Sequence, residues 1–354
     1  MYKKLPSLTA GRGLAAIGVA AYHGSLMWKG WLEPVFRFGW LGVTFFFILS
    51  GFVLTWSFSN KQTYKEFIVH RLARIYPVHI ICMFISIASF VYFGAAFGGY
   101  IGTISGAILS FFLLHDFIPG HPNIRQGWNG VSWSLSVEFF FYLFAPMLIR
   151  RLNEVSSSKL INFGLSLYIL HLALGCMAFK LHLTHFLDFM QYYPLAYFPI
   201  FIYGVIAAIL LRRGLVLKIG WVVRVGLFIP VLVYCYNLPD ADSMAMIALT
   251  VPAFLCLIID WASQDLADHP TILSKGIFER VGVISYSLYM SHALVLAYMG
   301  LILSVINIPY RPTLFVFVFV LLSLFVANLM YELYERPMRN YILSHQNFYK
   351  IKKV

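Results

Sequence analysis

The sequence predicts an all-α membrane protein that crosses the bilayer several times. Of its 354 residues, 60% are hydrophobic and 11% are charged, whereas soluble domains carry about 25% charged residues. The chain contains many apolar stretches of about 20 residues, the length a helix needs to cross the hydrocarbon core. The net charge of +12 comes from basic residues clustered between these stretches, which is typical of cytoplasmic loops rather than of a nucleic-acid-binding surface.

Eleven apolar segments are candidate spans, at 8–28, 37–58, 75–95, 98–117, 132–149, 159–179, 193–211, 219–236, 243–261, 281–306 and 312–332. Basic clusters at both ends of the chain and in three loops predict that both termini are cytoplasmic, which requires an even number of crossings. We therefore expect about ten transmembrane helices: either one of the segments between 75 and 149 does not cross fully, or two of them merge. Residues 1–340 should form one membrane-embedded domain, and residues 341–354 a basic cytoplasmic tail.

Neither a disulfide framework nor a metal site is predicted. The four cysteines lie in apolar stretches and lack CxxC spacing. His182 and His185 have the spacing of metal ligands, but no third ligand stands at a suitable distance. The chain also has no Walker A, GxSxG or HExxH motif, which argues against an ATP-driven pump, a covalent hydrolase and a metalloprotease.

A carboxylate inside an apolar run is the first candidate for a functional residue. Counted from Ser132 at the outer end of its span, Glu138 lies about 9 Å deep, where an ionised group requires a partner or a polar cavity. His23 lies about 22 Å from the inner end of the first span. In a hydrocarbon core about 30 Å thick, this is about 8 Å from the outer edge, which is similar to the depth of Glu138. We therefore expect the two side chains to meet, with Glu138 orienting His23 as a general base. The alternative is a structural hydrogen bond for Glu138 and a packing role for His23.

Two arginines follow a basic loop at the cytoplasmic face. Arg71 and Arg74 are three residues apart on one helix face, and two adjacent guanidinium groups suit bidentate phosphate binding. Lys65 belongs to the same basic cluster. Arg12 lies near the inner end of the first span, about 16 Å before His23. The alternative is that these cations only follow the positive-inside rule and contact lipid headgroups.

A further group of polar residues lies near the C-terminus. His292 falls about halfway along its predicted span, and hydroxyl side chains, including Tyr289, precede it on the same helix. We expect these residues to line one cavity. Glu335 and Arg336 lie at the inner boundary, where an ion pair or a helix-end cap is as good an explanation as a role in binding.

Taken in order, these motifs resemble the acyltransferase-3 family, whose members are membrane-bound bacterial enzymes that O-acylate, usually O-acetylate, cell-surface carbohydrates. The likeness covers nearly the whole chain. The motifs are Arg12-x10-His23, Gly39-Trp40-Leu41-Gly42-Val43-x-Phe45-Phe46-Phe47-Ile48-Leu49-Ser50-Gly51-Phe52, Arg71-x-x-Arg74-x-Tyr76-Pro77, Trp133-Ser134-x-x-x-Glu138, Ser285-Tyr286-x-x-Tyr289-x-x-His292 and Glu335-x-Pro337.

The resemblance implies an integral membrane O-acyltransferase in the bacterial cytoplasmic (inner) membrane. Its donor would be cytoplasmic acyl-CoA, usually acetyl-CoA, and its acceptor a hydroxyl of an extracytoplasmic or lipid-linked carbohydrate, such as O-antigen or exopolysaccharide. Membrane lipid would surround it, and no metal is implied. Some members carry an additional extracytoplasmic esterase-like domain, and we expect this chain to resemble the stand-alone members.

The residue pattern and the resemblance together predict the composition of the site. The residues are His23, Glu138 and Arg12 for catalysis, Arg71, Arg74 and Lys65 for the donor, and Trp133, Ser134, Tyr289 and His292 as further lining residues. His23 would either deprotonate the acceptor or carry the acyl group briefly. The alternative class is a proton-coupled transporter that uses His23, Glu138 and His292 as a relay, but the inverted repeats of such proteins are not evident.

Overall fold

A computed structural model describes residues 3–93, 103–118, 120–126, 128–181, 193–215, 243–268, 271–306 and 309–351, together with four isolated positions between 226 and 233. Within this part of the chain the regular secondary structure is helical, without strands. The predicted all-α class is therefore confirmed.

The helices form a bundle of long elements joined by short helical turns. The long helices are α1 (Pro6–Met27), α3 (Gly42–Ser57), α4 (Tyr64–Phe93), α7 (Trp133–Glu154), α8 (Ser157–Lys180), α9 (Pro194–Arg212), α10 (Ser243–Leu266), α12 (Ser285–Ile306), α13 (Pro312–Met330) and α14 (Arg336–Ile351). The short ones are α2 (Glu33–Phe36), α5 (Ile104–Phe111), α6 (Pro122–Gln126) and α11 (Gly276–Val283).

Across the described residues, eight helical stretches are long and apolar enough to cross a membrane, so the chain is a multi-pass membrane protein. Of the described candidates, 8–28 (α1) and 98–117 are not among these eight stretches. The described part of 98–117 contains the eight-residue helix α5, about 12 Å long, and a short turn at His115–Phe117. The other two candidates between 75 and 149 overlap the eight stretches. The candidate at 219–236 falls almost entirely outside the described residues, so the ten crossings and the cytoplasmic termini stay predictions.

Helix α1 lies at the centre of the bundle, in contact with α3, α10, α11, α12 and α13. Small side chains on a helix surface allow neighbouring backbones to approach closely in a membrane, and most buried residues of α1 are small. They are Ser7, Leu8, Ala10, Gly11, Gly13, Ala16, Val19, Ala20, Ala21, Gly24 and Ser25. The polar residues of α1 are thereby brought against five other helices.

The first turn of α1 is anchored by an aspartate of α10. The Ser7 amide and hydroxyl donate to the two carboxylate oxygens of Asp265, at 2.9 and 2.7 Å. Lys3 pairs with Asp268 at 2.5 Å. Because the amide groups of a first helical turn lack partners within the helix and carry partial positive charge, an acidic neighbour there is stabilising.

The segment between α5 and α7 folds into the bundle. His115 and Asp116 are fully buried, and the Ser136 hydroxyl donates to the Leu113 carbonyl at 2.7 Å. The Asn129 amide donates to the Met290 carbonyl on α12 at 3.1 Å. Helix α7, which begins four residues after Asn129, therefore starts beside the second turn of α12.

Helices α3 and α9 approach each other most closely at two glycines. A β-carbon at Gly51 would collide with the backbone oxygen of Phe201, and one at Gly204 with that of Ile48. Both obstacles belong to the backbone of a packed helix, so neither can move aside without shifting the helix pair.

We expect Gly204→Ala to lower the free energy of unfolding by about 1–3 kcal/mol, because the added methyl group overpacks this contact. The measurement is thermal and denaturant unfolding of the purified protein in detergent. The control is Gly164→Ala, whose β-carbon would meet the tip of the Ile206 side chain at 3.4 Å. Equal stability of the two variants would contradict the close packing of α3 against α9.

Candidate active site

A cavity of about 90 Å³ lies between α1, α3, α4, α7 and α12. We call it the arginine cavity, because the guanidinium groups of Arg12, Arg71 and Arg74 line it together with one carboxylate, that of Glu138. The remaining polar residues of the lining are Ser50, Ser134, Tyr142, Ser285, Tyr286 and Tyr289. Its volume is sufficient for several water molecules.

Arg12 is fixed to the beginning of α12 by two hydrogen bonds. Its Nε donates to the Ser285 hydroxyl at 2.8 Å, and a terminal nitrogen donates to the Gly282 carbonyl at 3.0 Å. Both acceptors are uncharged, so the guanidinium keeps its full positive charge beside the cavity. The planar guanidinium group suits this arrangement, since it presents several donors in fixed directions.

Glu138 balances part of this charge. It accepts a hydrogen bond from the Ser50 hydroxyl at 3.0 Å and interacts electrostatically with Arg12 and Arg71. Tyr142 lies beside the same carboxylate. Three guanidinium groups against one carboxylate leave the lining positively charged, and a positive, partly enclosed cavity attracts an anion.

Beyond the arginine cavity lies a pair of histidines. His23 Nδ1 is 2.9 Å from His292 Nε2, and the two rings meet edge to edge, with centroids 5.1 Å apart and planes inclined by 22°. His292 is fully buried, whereas His23 is partly exposed. We call these two residues the histidine pair.

Tyr289 connects the arginine cavity to the histidine pair. Its hydroxyl accepts from Ser134 at 2.8 Å and donates to the Val131 carbonyl at 3.1 Å. Its ring lines the cavity and lies 5.8 Å from the His292 ring, centroid to centroid. A molecule that fills the cavity toward Tyr289 would therefore approach the histidines.

The predicted contact between His23 and Glu138 is wrong. His23 pairs with His292, and Glu138 lies with Arg12, about 16 Å from His23 along α1. The depth of Glu138 was counted from an outer end at Ser132, but the turn before α7 is buried and fastened to Met290. Helix α7 thus starts already inside the bundle, and Glu138 lies deeper than expected, beside Arg12 rather than beside His23.

The other predicted residues divide into two groups. Arg71, Arg74, Ser134 and Tyr289 line the cavity with Arg12. Two do not line it, because Lys65 is exposed near the start of α4 and the Trp133 ring packs against Phe47 and Tyr197. The pair His182 and His185 lies outside the described residues. Among the described residues, no three His, Cys, Asp or Glu side chains are placed to hold a metal ion.

Glu335 was not predicted to belong to the site. It is buried, accepts from the Ser287 hydroxyl at 2.5 Å and interacts electrostatically with Arg74, Arg12 and Arg339. It ends a five-residue π-helical turn, Tyr331–Glu335, a feature frequent at functional sites. The sequence feature that points to this π-helical turn is Pro337, because proline has no amide hydrogen to bond to the preceding turn of the helix.

The chain belongs to the acyltransferase-3 family, whose acyltransferase domain matches residues 5–332. The protein is therefore a multi-pass membrane acyltransferase.

The chain is similar to several curated proteins. It is 29% identical over 315 aligned residues to acyltransferase MdmB of Streptomyces mycarofaciens, which covers 83% of this chain and 80% of the relative. It is 28% identical over 304 residues to the putative acetyltransferase ORF330 of Acidianus two-tailed virus, covering 84% and 85%. It is also 30% identical over 175 residues to peptidoglycan O-acetyltransferase OatA of Listeria monocytogenes, covering 45% and 26%. No solved structure matches the chain.

We expect Arg12→Lys to lower the free energy of unfolding by about 1–3 kcal/mol, because one ammonium group cannot reproduce the two hydrogen bonds that the planar guanidinium makes in fixed directions. In a double-mutant cycle, Arg12→Lys and Ser285→Ala should show a coupling of at least about 0.5 kcal/mol. Ser304→Ala is the control, since Ser304 bonds only within α12 and should be additive with Arg12→Lys. Additivity of Arg12→Lys with Ser285→Ala would contradict the anchoring role.

Proposed function

We propose that the protein is an O-acyltransferase that moves an acyl group, usually acetyl, from acyl-CoA to a hydroxyl group of a cell-surface carbohydrate. The observation that carries this proposal is the arginine cavity, a positively charged site that leads through Tyr289 to the histidine pair. The acceptor class is supported by the relatives, because one of them is a peptidoglycan O-acetyltransferase. The proposed location is the bacterial inner membrane, with lipid around the helix bundle.

Acyl-CoA matches the arginine cavity in charge. Its phosphate groups are polyanionic, and guanidinium groups bind phosphate in bidentate fashion. Arg71 and Arg74 would hold the phosphates with help from Arg12, while the thin pantetheine arm extends past Tyr289 toward His23. Lys65, exposed near the start of α4, would attract the donor to the cytoplasmic opening.

The reaction itself needs a base, an electrophile and a stabilised oxyanion. His23 would remove the proton from the acceptor hydroxyl as its oxygen attacks the thioester carbonyl carbon. When the carbon–sulfur bond breaks, the departing CoA thiolate takes up that proton, leaving an ester and free CoA. We propose Ser134 and Tyr289 as the groups that stabilise the developing oxyanion. To donate to it, each hydroxyl would turn its hydrogen away from its present acceptor.

Glu138 has a different role in this proposal from the one its sequence position suggested. A buried guanidinium without a counter-charge is costly, and Glu138 lies beside both Arg12 and Arg71. It would hold their side chains in place before the donor arrives. The net positive charge of the lining is then retained for the donor.

We expect the purified protein in lipid nanodiscs to transfer label from radiolabelled acetyl-CoA to envelope glycan. His23→Ala should reduce the rate by at least about 100-fold, because the base is lost. His345→Ala is the control, since this histidine is exposed on α14 and should leave the rate unchanged. Undiminished transfer by His23→Ala would contradict the mechanism. Free CoA released on addition of glycan is measured as well, because it distinguishes the two function classes. An acyltransferase releases CoA when the acceptor is present, and a proton-coupled transporter releases none.

We expect Arg71→Ala and Arg74→Ala each to raise the KM for acetyl-CoA roughly tenfold or more, since each removes a charge-assisted hydrogen bond. Arg150→Ala is the control, because Arg150 is an exposed arginine on α7 outside the cavity lining. Steady-state kinetics of CoA release provide the measurement. An unchanged KM in both cavity variants would exclude the arginines from donor binding.

A further inference from the structure

We infer that His292 is a positioning residue that holds His23 in the tautomer with its proton on Nδ1, so that His23 Nε2 is the basic nitrogen. This inference rests on the proposed function only in taking His23 as the base. The assignment follows from the hydrogen bonds of the two rings.

The hydrogen of the His292 ring is on Nδ1. Its Nδ1 lies 2.7 Å from the Tyr289 carbonyl oxygen and 3.2 Å from that of Leu288. A carbonyl oxygen only accepts hydrogen bonds. His292 Nδ1 must therefore carry a hydrogen and donate it to the backbone of the preceding turn of α12.

The hydrogen bond between the two rings is donated by His23 and accepted by His292. His292 is fully buried, which favours the uncharged imidazole. With its hydrogen on Nδ1, a neutral ring has a lone pair on Nε2. The 2.9 Å contact with His23 Nδ1 needs one hydrogen, which must come from His23. The chain of donors then runs from His23 through His292 to the Tyr289 carbonyl.

This hydrogen bond determines the tautomer of His23. A neutral imidazole has one hydrogen, and the bond to His292 places it on Nδ1, so the lone pair is on Nε2. This is the arrangement that the carboxylate of a catalytic triad imposes on its histidine. Here a neutral ring does the same without adding a charge inside the membrane, where a buried carboxylate would be costly.

The same bond also assists the proton transfer. When Nε2 of His23 takes a proton, the ring becomes cationic and its Nδ1–H becomes a stronger donor. His292 Nε2 accepts that stronger bond without moving, because its own Nδ1–H is held by the α12 backbone. The His23 ring is also flanked by Tyr22, whose centroid lies 5.2 Å away, so its orientation is restricted from two sides.

The direct test is nitrogen NMR of protein in nanodiscs labelled with ¹⁵N-histidine, with the His23 signals assigned by their loss in His23→Ala. The inference predicts a protonated Nδ1 and an unprotonated Nε2 for His23 at neutral pH. A protonated Nε2 with an unprotonated Nδ1 would overturn it. This result is independent of acyl transfer, so it decides the tautomer even if the proposed function fails.

Two substitutions then separate positioning from packing. His292→Gln places an oxygen acceptor near the position of Nε2, and His292→Phe keeps the ring shape without an acceptor. We expect His292→Gln to retain the Nδ1–H tautomer and a kcat within about tenfold of the wild type, and His292→Phe to lose roughly 100-fold or more. The KM for acetyl-CoA should stay within about twofold in both. Wild-type kcat in a monodisperse His292→Phe protein would overturn the inference, as would equal losses in both variants.

Discussion

The site depends on the contact between α1 and α12 at two points. Near the start of α12, Arg12 bonds to Ser285, and about two turns further along α12 His292 bonds to His23. The small side chains of α1 bring the two helices close enough for these polar contacts. Because each contact joins a residue near the N-terminus of the chain to one near its C-terminus, the fold has to be complete before either part of the site exists.

The electrostatics of the bundle follow from the cost of burying charge in a membrane. Each guanidinium group in the interior needs acceptors or a counter-ion, and Glu138 and Glu335 supply the counter-ions here. The compensation is incomplete in the cavity lining, where three arginines face one carboxylate. Such an excess is unfavourable for an empty protein and favourable for one that binds an anionic substrate, so it reflects function more than stability.

Sequence and structure agree where local pattern and chemistry decide the outcome. Apolar segment length predicted the all-α membrane class, and the scarcity of charge drew attention to Arg12, Arg71, Arg74 and Glu138, all of which line one cavity. The predicted neighbour of His23 was wrong, because hydropathy does not show that the turn before α7 folds inward. A long-range contact such as His23 with His292, 269 residues apart, is set by packing between helices, which no local pattern records.

A cryo-EM structure of the protein in nanodiscs with a non-hydrolysable acetyl-CoA analogue would show directly whether the donor binds in the arginine cavity. We expect phosphate groups within hydrogen-bonding distance of Arg71 and Arg74. We also expect an acyl carbon about 5–6 Å from His23 Nε2, which leaves room for one hydroxyl group between them. Phosphates bound away from the arginine cavity, or an acyl group remote from the histidine pair, would contradict the proposed mode of donor binding.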